Sequence, residues 1–317
     1  MAAVAATGLV VAVIWGSPLM DGDGGVRSGA EAVALATPAA GPAVIAAGPE
    51  SLWTVGAGSR LVRALPPDGS DPSGPSRRLG SEGDLPVAAS PDGSSLWVAL
   101  RRSGAGLLVR VAPSLKVARV VGIGDVLPLR IVALPGRVVV LGESRVVGVP
   151  QGGGTTWSRP LPFGIDVAAG YGSAWTLSRA EGARSLISRH DLATGRVVGR
   201  RVSGAGGTAI AVGLGAVWVA NGCDNGVLRA PVGAGPATCT RVGKGPADVA
   251  VGRGAAWVAD AAGQRIVELD PATGAIVESW PVAGRPASIV AGPSGVFATT
   301  RGGGAVGLPL GAGDSRR

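Results

Sequence analysis

The chain has 317 residues, of which 55 are glycine and 24 proline; 46% are hydrophobic and only 16% charged. Its net charge of +8 is carried almost wholly by arginine, yet no run of five or six basic residues and no basic helix occurs. This argues against a nucleic-acid partner, and two cysteines with one histidine do not make a zinc site.

Met1–Leu19 (MAAVAATGLVVAVIWGSPL) is apolar and uncharged. It is expected to form an N-terminal apolar helix, of a length between a signal-peptide core and a full membrane span. The basic start of a signal peptide is missing, so residues 1–19 are expected to act as an uncleaved anchor, with membrane contact through residues 2–19. A cleaved signal peptide is the alternative. Residues 20–30 follow as a linker, and either reading puts the remainder outside the cytoplasm.

From there the chain repeats. Its most regular unit is Pro246–Val282, PADVAVGRGAAWVADAAGQRIVELDPATGAIVESWPV. Four short strands are expected in it, at Asp248–Val251, Ala255–Asp260, Arg265–Asp270 and Ala275–Val282. Each is rich in β-branched or small apolar residues and bounded by Gly, Pro or Asp, which is the strand signature. The second strand carries an aromatic slot that recurs at Trp53, Trp97, Trp175, Trp218, Trp257 and Phe297, with Val139 in the same pattern. Seven such anchors about 40 residues apart predict an all-β fold, a seven-bladed β-propeller of four-stranded antiparallel blades. The propeller is expected to span residues 31–310, with a polar tail at 311–317. The last blade has only one strand after Phe297, Ala305–Leu310, so the apolar run 31–37 is expected to supply its outermost strand and close the ring.

The blade pattern, PADVAVGRGAAWVAD followed by RIVELDPATGAIVESWPV, resembles the YVTN/YncE-like bacterial propeller repeats and, in repeat pattern, the virginiamycin B lyase-like propellers. The resemblance covers residues 31–310. It implies a propeller but does not fix an activity, because one scaffold hosts many functions. The lyase relatives use a catalytic histidine and a metal-binding acidic group, and the sequence matches neither motif.

The aromatic series is expected to pack between blades rather than to stack a ligand. His190 replaces the Leu269 of the regular blade and reads as a variant repeat position. Asp191 and Asp270 read as turn caps ahead of Gly195 and Gly274. Cys223 and Cys239 fall just after the second strand and within the fourth strand of blade five. A disulfide across the third strand is geometrically possible, but parallel strands flanking a third lie about 9–10 Å apart, so two unpaired thiols are the alternative.

Naming the strands of each blade a to d from the axis outward, the a–b and c–d links are mostly tight turns. The d–a and b–c links hold the varied polar residues. Asp84, Arg130, Asp166, Asp248 and Arg285 belong to the d–a links, near the axis. Arg101, Glu143, Arg179, Asn221, Asp260 and Arg301 belong to the b–c hairpins, farther out. This mixed-charge funnel, expected to hold no apolar pocket, suits a protein partner or polar ligand. The expected function is an extracytoplasmic, non-enzymatic binding or sensor module with no catalytic residue and no cofactor. The alternative is a metal-dependent lyase-like or lactonase-like enzyme, for which Asp84, Asp166 and Asp248 are the inward carboxylates.

Overall fold

The computed structural model describes residues 32–35, 44–56, 59–71, 74–155 and 157–308. The apolar segment 1–19, the linker and the tail lie outside them. Among the described residues no helix is long and apolar enough to cross a membrane.

Seven four-stranded antiparallel sheets follow one another along the chain. In blade six the strands are Pro246–Gly252, Ala255–Asp260, Arg265–Leu269 and Ile276–Pro281. The turns between them follow local chemistry. Asp270 Oδ1 accepts from the Thr273 N–H and hydroxyl, and Gly274 then takes φ +78°, a left-handed conformation that glycine adopts without strain. Asp191, Thr194 and Gly195 (φ +68°) repeat the device in blade four. Blade seven takes strands a to c from Pro286–Gly292, Gly295–Thr300 and Ala305–Leu308. Its outermost strand is Val33–Leu35, antiparallel to Ala305–Leu308 with Val33 opposite Gly307.

Among the described residues the core divides into seven clusters, one at each seam between neighbouring blades. The aromatic slot anchors most of them. Trp53, Trp97, Trp218 and Phe297 are fully buried, and Trp257 and Trp175 are 2% and 7% exposed. Blade three lacks the aromatic on strand b, and its outermost strand makes up for it. Trp157 lies over Gly148 and fills the seam with Val139, Leu141 and Val146. A Cβ on Gly148 would come within 2.4 Å of the Trp157 ring. The indole N–H of Trp157 donates to the Leu192 carbonyl of blade four (2.8 Å).

Cys223, the last residue of strand b (Ala216–Cys223) of blade five, is bonded to Cys239 in strand d. Their Cα atoms are 6.2 Å apart, closer than two strands flanking a third would ordinarily sit. A register shift between Ala220 and Cys223 ends the regular ladder there. The bond passes beside Gly226 of strand c, where an added Cβ would meet both sulfur atoms at about 3 Å. A loop of this length stabilises a fold by about 3 kcal/mol in the chain-entropy model.

Closure of the ring rests on the strand contributed by residues 33–35. Deleting residues 31–37 is expected to expose the edge of Ala305–Leu308 and lower the thermal unfolding midpoint by several degrees or more. Differential scanning calorimetry checks this; an unchanged midpoint would show that the fourth strand of blade seven carries no stability.

Candidate functional site

Strand a of each blade brings one side chain to the same height on the axis. Counting two residues back from the partner of the aromatic slot, the register selects Val44, Ala88, Arg130, Asp166, Ala209, Asp248 and Ser288. All seven line one axial cavity of about 260 Å³. They lie near the starts of the innermost strands, on the d–a and b–c side. In most of these strands a register shift just ahead of the position, as at Gly164/Asp166 and Pro246/Asp248, turns the side chain toward the axis. Four of the seven are polar: Arg130, Asp166, Asp248 and Ser288. Thr208 and apolar residues, among them Ile45, Ile131, Ile289 and Val290, complete the lining. Alternation along strand a places apolar residues beside the polar lip, while the exposed lining of the cavity is mainly polar.

The two aspartates also clasp neighbouring blades. Asp166 Oδ1 accepts from the Val167 N–H (2.9 Å) and Oδ2 from the Ile210 N–H of blade five (2.9 Å). Asp248 repeats this with Val249 (2.8 Å) and with Ile289 of blade seven (2.8 Å). The innermost strand has one unpaired edge, and these carboxylates satisfy its N–H groups. Ser90 does the same between blades two and three, and the Thr208 hydroxyl donates to the Pro246 carbonyl between blades five and six. Arg130 Nε stands 3.7 Å from Asp166 Oδ1, with its side chain 55% exposed.

Electrostatics at the lip are set by burial. The Asp166 carboxyl is pushed up to about 7, first by desolvation and then by the nearby charge of Asp248; Arg130 and the two N–H donors pull the other way. Burial also raises the Asp248 carboxyl, against its hydrogen bonds to Ile289, Val249 and Ser288.

The remaining funnel candidates do not join this ring. Asp84 is 1% exposed and held by a two-pronged bond from Arg102, at 2.7 Å to each oxygen, and by the Ser81 N–H. The Arg102 guanidinium keeps its carboxyl below the usual range. Asp84 is a buried anchor of its loop, so the set of three inward carboxylates is reduced to Asp166 and Asp248. Asp260 is likewise fully buried, accepting from Arg265 Nε (3.1 Å) and the Gly263 N–H (3.2 Å). Any Cβ at Gly243 or Gly263 would collide with it, at 1.8 and 2.0 Å. Asn221 takes φ +51° and donates to the Gly206 carbonyl, tying its hairpin to the link that enters blade five. Arg285 is exposed, and its carbonyl accepts from the Arg301 N–H. Among the described residues no group of three His, Cys, Asp or Glu is placed to hold a metal ion.

His190 is 2% exposed. Its Nδ1–H donates to the Gly195 carbonyl (3.2 Å) and its Nε2 accepts from the Thr176 hydroxyl (2.9 Å). Burial lowers its pKa, which favours this neutral, structural imidazole. Ser288 was the one polar ring residue not singled out from the sequence. Its signal was present, because PASIV repeats PADVA with Ser288 in the place of Asp248.

The ring of blades around a polar-lipped axial cavity defines the chain as a seven-bladed β-propeller. No protein-family model and no curated protein matches it, but solved structures share the fold. The hydrazine synthase structure of Kuenenia stuttgartiensis aligns with a TM-score of 0.71 at 14% identity, over 87% of this chain and 98% of that one. The WD40 propeller domain of Doa1 aligns at 0.68 and 10% identity, over 90% and 98%. The Cps50 (Swd1) propeller domain of Myceliophteria thermophila aligns at 0.68 and 11%, over 88% and 100%. Identities this low establish the fold alone.

The raised Asp166 carboxyl predicts a pH effect on stability. A carboxyl whose folded pKa exceeds its unfolded value contributes fully below about pH 4, and that contribution is lost as pH rises through 7. Urea unfolding from pH 4 to 8 should therefore show wild type losing stability relative to Asp166→Asn across this window. Parallel profiles for the two proteins would mean that Asp166 ionises normally.

Proposed function

We propose that the protein is an extracytoplasmic, non-enzymatic binding module of the YVTN/YncE-like type, which receives a polar ligand, or the polar group of a protein partner, at the axial lip. The observation carrying this reading is the ring itself. Its polar side chains come from four blades of seven and surround a cavity whose exposed lining is mainly polar. Such a site suits a compact group with a hydrogen-bond acceptor toward Arg130 and donors or positive charge toward Asp166 and Asp248. The propeller commonly serves as an interaction module, which agrees with this use. Extracytoplasmic placement is supported by the Cys223–Cys239 bond, since structural disulfides persist in oxidising compartments, and by the apolar residues 1–19.

A metal-dependent propeller enzyme is the weaker reading. The lip offers two carboxylates, and each of their four oxygens already accepts a backbone N–H.

Thermal-shift measurements on the full chain separate the two. The panel consists of amino acids, dipeptides, polyamines, Ca²⁺, Mg²⁺ and EDTA. A ligand at one hundred times its Kd adds about 2.7 kcal/mol. The expected result is stabilisation by a zwitterion or amine that is abolished in Arg130→Ala and Ser288→Ala, with no response to EDTA. A stoichiometric metal whose removal by EDTA lowers the midpoint would instead establish the metal-dependent reading.

A further inference from the structure

A second concave site lies away from the axis, in the outer seam between blades four and five. It is a groove of about 160 Å³ lined by Trp175, Ile187, Arg189, Gly199, Arg201 and Val232, with further residues of the same strands. Its existence follows from the repeat. In blade three the ladder runs Val139, Gly148, Trp157 from strand b to strand d. The matching row in blade four is Trp175, Arg189, Gly199. One row along, Ala259, Ile266 and Trp280 of blade six correspond to Leu177, Ile187 and Arg201. Blades three and six thus each close their outer seam with an indole from strand d, buried to 5% and 8% exposure. Blade four has Gly199 and Arg201 in those two places, and the seam stays open. Trp175, at 7%, is the most exposed of the slot aromatics.

The opening is apolar within and basic at its edges. Arg189 lies over the Trp175 ring at 5.4 Å, held by Ser173 and Tyr171. Arg200 is exposed, Arg201 reaches the Gly235 carbonyl (3.3 Å), and no carboxylate lines the groove. The outermost strand here, Val197–Ala205, is a sheet edge and exposes Val198 (61%) at the opening. Long edges with exposed apolar residues are places where another strand adds.

We propose that the seam between blades four and five docks an acidic, extended peptide segment of a partner protein. One aromatic side chain of that segment enters the groove, in the way that Trp157 closes the seam of blade three. A cavity of about 150 Å³ admits a benzene-sized ring, and the arginines supply the complementary charge. This site is separate from the axial lip, and either can exist without the other.

The test uses the full chain and a DEDWDED-amide peptide labelled with fluorescein at its N-terminus, read by fluorescence anisotropy at low salt. Binding is expected to weaken at least about tenfold when the peptide tryptophan is replaced by alanine, and to fall with added salt. The decisive variant is Gly199→Trp. A Cβ at Gly199 meets only Arg189 Cβ, at 3.8 Å, and its backbone is not left-handed, so a side chain fits. This variant should keep or raise the thermal midpoint while weakening the peptide at least about tenfold. Arg200→Ala with Arg201→Ala, which leaves the groove open, should weaken it as well. Any of four results would overturn the proposal: undetectable peptide binding, equal binding of the alanine peptide, a single-stranded oligonucleotide binding in its place, or a dimer of the chain that Gly199→Trp dissolves.

Discussion

Each blade is apolar on both faces, so none is stable except between two others. That requirement organises the molecule: burial is spent at seven seams, and every seam needs a large side chain of the right shape. Where strand b carries an aromatic, the seam closes near the axis. Blade three has Val139 there, and the same volume arrives from the other edge of the sheet as Trp157, made possible by Gly148 beneath it. The large side chain at a seam can therefore come from strand b or from strand d, as expected of cores that tolerate repacking.

The axis answers to a different need. Seven innermost strands each present an unpaired backbone edge toward their neighbours, and buried N–H groups must find acceptors. Asp166, Asp248 and Ser90 accept them across the seams. The aspartates that give the lip its chemistry are thus also ties between blades. Their desolvation costs are only partly offset by N–H donors, and Asp248 raises its neighbour's pKa further. A cationic or donor-rich group arriving at the lip would relieve that repulsion without disturbing the ties.

The fold was legible because its period is long and its punctuation local. The spacing of the aromatic anchors, the Asp–Thr–Gly turns and the alternating apolar runs each appear in a few adjacent residues. Strand Ala255–Asp260 matches its expected bounds, and the others shift by one or two residues where turns begin. The site was only half legible. Arg130, Asp166 and Asp248 reach the axis because they share one register with one another, and a repeat alignment exposes that register and Ser288 with it. Asp84 stands in the same kind of link but four residues ahead of that register, where Arg102 captures it. Asp260 ends strand b and is drawn inward because Gly243 and Gly263 leave room for its carboxylate. Such contacts join residues from separate turns, and nothing in the local pattern announces them.

The strand that completes blade seven also bears on how the chain reaches its native state. Val33–Leu35 pairs with Ala305–Leu308, so the join links residues separated by nearly the whole length of the chain. A contact of such high order forms slowly, because loop-closure entropy is lost before any pairing is gained. Blades one to six can assemble in turn as the chain is synthesised, whereas the final ladder must wait until blade seven has emerged. Until then the early segment and the edge of the last blade are both unpaired, and that interval is when the protein is most exposed to aggregation. The Cys223–Cys239 bond, whose partners are only 16 residues apart, needs no such wait and can set blade five before the circle is shut.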